Sequence, residues 1–256
     1  MRFRDRHEAG QRLAALLAPY ANRDDVVVLA LPRGGLPVGF EVARRLLAPL
    51  DVFLVRKLGA PGHPEFAIGA IATGDVCVLS HDVIAELGIP AARIEQLVER
   101  ERVELERRDK AYHGDRPHLP LRDKIVIVVD DGLATGSTME AAVNALREHH
   151  PAKIIVAAPV GAADSCRRLR TLADEVICAE TPEPFNAVGL WYQLFDQTTD
   201  AEVIELLQRA NAHRPLQSVT TPVRDAEQIR KSAGVLTEEC RNDDGLVGAI
   251  GSARPV

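Results

Sequence analysis

The stretch Lys124–Thr138, KIVIVVDDGLATGST, governs how the rest of the chain is read. Ile125–Val129 is a β-branched run without polar alternation, the pattern of a strand buried on both faces in a parallel sheet. Asp130 and Asp131 follow at its carboxyl end, where open α/β sheets place their ligands. Gly132, Ala134, Thr135, Gly136, Ser137 and Thr138 then offer backbone N–H groups and hydroxyls at the start of a helical pattern, a setting that suits an anion such as phosphate. Two carboxylates so close to an anion cradle point to a ligand carrying both hydroxyls and a phosphate.

Outward from this stretch the same grammar repeats. Val26–Leu31 (VVVLAL) is a second buried-strand run, ending at Pro32-Arg33-Gly34-Gly35 before a helical pattern over Leu36–Leu47. Asp51–Val55 reads as a strand leading into a Gly/Pro-rich loop, Arg56-Lys57-Leu58-Gly59-Ala60-Pro61-Gly62. Phe66–Ala72 and Val76–Leu79 flank a Gly74-Asp75 turn signal, an antiparallel excursion. Ile154–Ala158 and Glu175–Ala179 are further strands, separated by helical patterns over Met139–His149 and residues 162–172. Helices are also expected over residues 5–18, capped by Asp5, and over 200–210, capped by Asp200. The alternation specifies an α/β fold, a doubly wound and mainly parallel sheet flanked by helices. Residues 91–112 are charged with a narrow apolar face of Ile94, Leu97, Val98 and Leu105, the pattern of a solvated helix. Apolar periodicity fades after residue 211, so 1–211 reads as the domain and 212–256 as a weakly ordered tail.

Composition narrows the function classes. The chain has 256 residues, 46% hydrophobic and 27% charged, with a formal net charge of −6. No basic balance argues for nucleic acid or an acidic membrane surface, so an anionic ligand must be attracted by individual Arg and Lys residues. Cys77, Cys166, Cys178 and Cys240 lack CxxC spacing and fit reduced thiols. The histidines show no metal-ligand spacing. The N-terminal MRFRDRHEAGQRLAALL has no apolar core of a secretion signal, and no run is long enough to span a membrane. A soluble, cytoplasmic protein is expected.

Val128–Thr138 resembles the signature of type I phosphoribosyltransferases, enzymes that use 5-phosphoribosyl 1-pyrophosphate (PRPP). The resemblance implies that Asp130 and Asp131 face the ribose 2- and 3-hydroxyls, and that Ala134, Thr135, Gly136, Ser137 and Thr138 wrap the 5-phosphate. The residue chemistry agrees, since carboxylates accept from hydroxyls and a helix N-terminus accepts phosphate. A phosphate-loop NTPase would carry Gly-Lys-Ser/Thr at the loop's end, and none is present. A receiver domain would place its acids after the first strand. Leu31–Gly39 resembles the family's pyrophosphate loop, in which Gly34 and Gly35 admit close backbone approach, Arg33 supplies charge and a peptide bond is strained. Arg56 and Lys57 resemble the start of the mobile catalytic loop and would neutralise leaving pyrophosphate.

Over about residues 1–210 the blocks Phe3–Gly10, Leu31–Gly35, Val55–Gly62, Ala67–Ala72 and Asp130–Thr138 are similar to a group of bacterial phosphoribosyltransferase-domain proteins. In that group a small helical/hairpin hood, here about residues 80–115, covers the site. The mechanism implied is displacement of pyrophosphate at ribose C1 by a nitrogenous base, assisted by Mg²⁺ that the ligand itself holds, or that Asp130 and Asp131 bind as a metal pair. The expected partners are PRPP and a nitrogen acceptor, with homodimer formation open. Phe185, Trp191 and Tyr192 could stack the acceptor or line the sheet's apolar edge. A PRPP-sensing regulator without transferase activity is the alternative, and an interaction module built on the charged helix a weaker third.

Overall fold

A computed structural model describes residues 2–212. The tail expected beyond them lies outside the described residues. Five strands, β1 (Val26–Ala30), β2 (Leu50–Val52), β6 (Ile125–Val129), β7 (Lys153–Val160) and β8 (Glu175–Glu180), form a wholly parallel sheet in the order β2-β1-β6-β7-β8. The β-branched runs of β1 and β6 are buried at every residue because both sheet faces are covered. One face packs on α1 (Arg6–Leu16), α2 (Gly35–Leu46) and α7 (Asp200–Ala212), through Leu13, Val38, Leu46 and Val203. The other packs on α5 (Ser137–Arg147) and α6 (Ala163–Leu169), through Met139, Leu146, Cys166 and Leu169. Asp5 caps α1 as expected, its Oδ1 accepting from the Glu8 N–H at 2.8 Å.

The parallel order has one consequence for ligand binding. From β1 the chain winds outward to β2, and from β6 it winds the other way to β7 and β8. The loops leaving β1 and β6 therefore diverge and open a crevice between neighbouring strands, the topological switch point of the sheet.

A second, antiparallel sheet is formed by β3 (Val55–Ala60), β4 (His63–Ala72) and β5 (Val76–Leu79). It corrects the reading of 56–62 as a loop. Val55–Leu58 pair with Ala72–Gly69, and only Pro61-Gly62 makes the turn, with Gly62 at φ +83°. The Gly/Pro content is real, but Gly59 and Ala60 serve register shifts within the strand, and Leu58 is drawn fully into the core. Phe53-Leu54 carries the chain from one sheet to the other, with Leu54 N–H donating to Thr73 Oγ1 at 3.0 Å. Helix α3 (His81–Glu86) and the long α4 (Ala91–His113) follow, α4 burying only Leu105, Tyr112 and His113. No helix among the described residues is long and apolar enough to cross a membrane.

Candidate active site

The carboxyl ends of β1 and β6 bring the Arg33–Gly35 turn against the acid pair. A Cβ on Gly34 would stand 2.2 Å from Asp131 Oδ2, and one on Gly35 would stand 2.7 Å from Val129 O and 3.0 Å from Asp130 Cα. These glycines are demanded by the packing of the two loops on each other, a reason the sequence reading did not supply. Gly35 N–H donates to Leu31 O at 3.1 Å, which closes the turn. The Pro32–Arg33 peptide is cis.

Asp130 Oδ1 accepts from the Asp131 N–H at 2.8 Å. Burial, and then the neighbouring Asp131 carboxylate, push the Asp130 pKa well up. Burial also raises Asp131, against the pull of Arg6. Arg6 was missed as a site residue, although it lies within the Phe3–Gly10 block. Its Nε donates to Asp131 Oδ2 at 2.8 Å, and its Nη1 to Asp196 O at 2.7 Å. The guanidinium lies 4.0 Å from the centroid of the Phe195 ring. It reaches this position because Phe3 and Arg4 are stitched to Trp191, Gln193 and Leu194 by main-chain hydrogen bonds. Tyr192 OH donates to Asp131 O at 2.6 Å. Tyr192 is thus a buried prop beneath the acid pair, packed on Phe3, and offers no open face for a base.

The loop expected to hold an anion runs from the end of β6 into α5. Gly136 takes φ +74°, a left-handed conformation that ends the loop and starts α5 without any side-chain cap. At the first turn of this eleven-residue helix Ser137 N–H makes only a long 3.5 Å hydrogen bond to Thr135 Oγ1, and Ala134, Thr135, Ser137 and Thr138 are exposed around it. The loop is held from below by α6, which the sequence did not reveal: Ser165 Oγ donates to Ala134 O at 2.5 Å, and Arg168 Nη2 donates to Thr135 O.

The cations are placed less uniformly. Arg33 lies 3.8 Å from Asp200 at the start of α7. Arg56 is locked to Glu101 of α4, with Nε and Nη2 at 2.6 and 2.5 Å from its Oε2. Burial would raise Glu101, but Arg56 and Arg100 outweigh it and hold its pKa below the ordinary value. Lys57 follows Arg56 in β3 and is half-buried, paired in register with Ala70 of β4. A small cavity lined by Pro32, Val55, Arg56, Arg108 and Thr138 links the two switch-point loops to strand β3, and it adds Arg108 to the candidates.

Comparisons with known proteins agree with this architecture. The phosphoribosyl transferase domain family matches residues 5–193. Two Mycobacterium tuberculosis proteins, from strains H37Rv and CDC 1551 / Oshkosh and provisionally named phosphoribosyl transferases, are each 44% identical over 239 residues. The alignment covers 91% of this chain and 53% of theirs, so the chain spans about half the length of these relatives. The crystal structure of TT1426 from Thermus thermophilus superposes with a TM-score of 0.76 at 42% identity, covering 82% of this chain and 99% of that one. The chain belongs to the phosphoribosyl transferase domain family, a family of transferases.

Proposed function

We propose that the domain binds PRPP and transfers its 5-phosphoribosyl group between pyrophosphate and a nitrogenous base. The observation that carries this reading is the contact of the two switch-point loops, where Gly34 leaves room for Asp131 only because it lacks a Cβ. One crevice thereby holds a carboxylate pair for a diol, an uncapped helix start for a phosphate and a second glycine turn for a further anion. Asp130 and Asp131 accept from the ribose hydroxyls, and Thr135, Ser137 and Thr138 with the α5 N–H groups hold the 5-phosphate. Arg33 with Gly34 faces the pyrophosphate as it departs, and Arg56 joins them once released from Glu101.

Mg²⁺ fits the acid pair. Of the two acids, Arg6 pairs with Asp131 alone, and burial followed by the Asp131 charge raises the Asp130 pKa, so one guanidinium faces two carboxyl groups. When bound, the ion would screen charge on pyrophosphate and ribose oxygens. The chain's own residues orient the ligand, and Arg6 opposes the effect of burial on Asp131 and aims its carboxylate.

A regulatory reading has one specific support, the closed Arg56–Glu101 pair, which withholds a cation that transfer would use. Incubation with PRPP, Mg²⁺ and a panel of purines, pyrimidines and other nitrogen acceptors, with pyrophosphate release as readout, decides between the two. Turnover with any acceptor supports transfer. PRPP binding without turnover on the whole panel favours a sensor, and no binding at all removes both.

A further inference from the structure

Two cysteines meet behind the anion loop, and neither has a part in the proposed reaction. Cys166 lies in α6 and is buried, while Cys178 lies in β8 and is half-buried. Both are free thiols. Gly161, the residue after β7, runs past them. A Cβ built there would stand 2.9 Å from Cys166 Sγ, 3.0 Å from Cys178 Sγ and 3.1 Å from Leu133 Cβ. The two sulfurs therefore sit side by side in the space that a side chain at 161 would fill. Gly161 does not take a positive φ, so that space, and not backbone conformation, selects glycine.

Two thiols in contact behave differently from two thiols buried apart. The hydrogen bond with Cys178, aided by Arg170, outweighs burial and lowers the Cys166 pKa to about 7. The same contact, together with burial, raises Cys178. The pair thus gives up its first proton readily and holds the second, so one sulfur is a nucleophile and the other its resolving partner. Their place in the fold ties them to the site. Ser165, next to Cys166 in α6, donates to Ala134 O, and Arg168 of the same helix donates to Thr135 O. Leu133 N–H donates to Val160 O at 2.9 Å, and Leu133 O accepts from Ala162 N–H at 2.8 Å. One short helix carries both a sulfur and the props of the anion loop.

We propose that Cys166 and Cys178 form a redox modification site, joined as a disulfide by hydrogen peroxide, and that the bond shifts α6 and loosens the Ala134–Thr138 loop. Peroxide, little larger than water, enters past the half-buried Cys178. The Cys166 thiolate attacks one peroxide oxygen: an S–O bond forms, the O–O bond breaks, and the hydroxide released takes up a proton as water. The Cys178 sulfur then attacks Cys166: the S–S bond forms, the S–O bond breaks, and the Cys178 proton leaves with the hydroxide as a second water. Each sulfur gives up one electron, and peroxide takes both. A disulfide holds its sulfurs about 2.05 Å apart, closer than any non-bonded contact, so α6 is drawn toward β8. Ser165 and Arg168 move with it, and the loop carbonyls lose their donors. The bond and its effect on the loop do not depend on what the loop binds.

The test uses the full chain carrying Cys77→Ser and Cys240→Ser, which leaves this pair as its only thiols. The reduced protein is treated with a small molar excess of hydrogen peroxide. The expected result is a mass loss of about 2 Da, no thiol reactive under denaturing conditions, and a proteolytic fragment joining Cys166 to Cys178, all reversed by dithiothreitol. Amide hydrogen exchange over Leu133–Thr138 should quicken by about 10-fold or more on oxidation and return on reduction. Cys166→Ser in the same background should form no bond, and its loop exchange should not respond to peroxide. The same fragment mapped in the unsubstituted chain answers the question if a variant fails to fold. Thiols that survive peroxide, or that oxidise to sulfinic acid without joining, would overturn the site. A joined pair with unchanged loop exchange would overturn its coupling to the loop.

Discussion

Asp130 is a carboxylate that the unliganded fold holds at a cost. Burial and the Asp131 charge raise its folded-state pKa above its unfolded value of 3.8, so the folded chain binds that proton more tightly. Its contribution to stability is therefore most favourable below the unfolded value, and it is eroded as pH rises toward the raised folded one. Asp130→Asn is expected to stabilise the unliganded protein at neutral pH by about 1 kcal/mol, with the gain vanishing in acid, while abolishing the response to PRPP. Denaturant melts of both proteins across pH check the sign, and a loss of stability at neutral pH would refute it. Gly34 gives a complementary prediction. Its φ of −61° is open to any residue, so Gly34→Ala tests the clash with Asp131 Oδ2 alone. The variant should lose about 1–3 kcal/mol and its ligand response, as overpacked sites do. Both roles lie partly within the reach of sequence. The motif locates the acids and glycines, but that the glycines serve the acids appears only when the loops meet.

At the level of elements, α1 supplies the clearest correction to reading the site from β-strand ends alone. Arg6 reaches Asp131 across 125 positions, and the two side chains are 12% and 15% exposed. Arg6→Ala should destabilise the protein by about 2–3 kcal/mol, because it strands a mostly buried carboxylate. Adding Asp131→Asn should recover much of the loss, and the non-additivity in a double-mutant cycle measures the coupling. Additive losses would mean that the pair contributes nothing. Helix α6 holds the anion loop in a similar way: Ser165→Ala should cost about 1 kcal/mol and weaken phosphate-dependent binding, since the buried Ser165 hydroxyl ties down Ala134 O. The buried strands were legible because a parallel sheet covered on both faces writes unbroken β-branched runs. Strand β3 was not, because register shifts at Leu58–Ala60 break its alternation, and Gly59 with the Pro61-Gly62 turn beyond it imitates a loop.

For the whole molecule, the proposed ligand binds only the folded crevice, so PRPP with Mg²⁺ should raise the unfolding free energy by about 2.7 kcal/mol at 100 times its dissociation constant. The rise should grow with concentration and disappear in the Asp130→Asn, Asp131→Asn double variant. A melting temperature indifferent to PRPP would remove the proposed function and leave the fold untouched. By itself the sequence determined the fold class, the positions of most strands along the chain, the glycine turn after β1 and the acid-and-glycine loop after β6, because strand burial and turn chemistry are local and leave a periodic or compositional trace. Only the tertiary structure decided that Arg6 guards Asp131, that Arg56 is held by Glu101, and that Gly34 yields its Cβ to a carboxylate. Each of these is a contact between residues far apart in the chain. Such contacts follow from how strands order themselves in the sheet, and no local pattern encodes that order. The Lys124–Thr138 stretch carries the acid pair and the small-residue loop, and its neighbours in space decide what surrounds each.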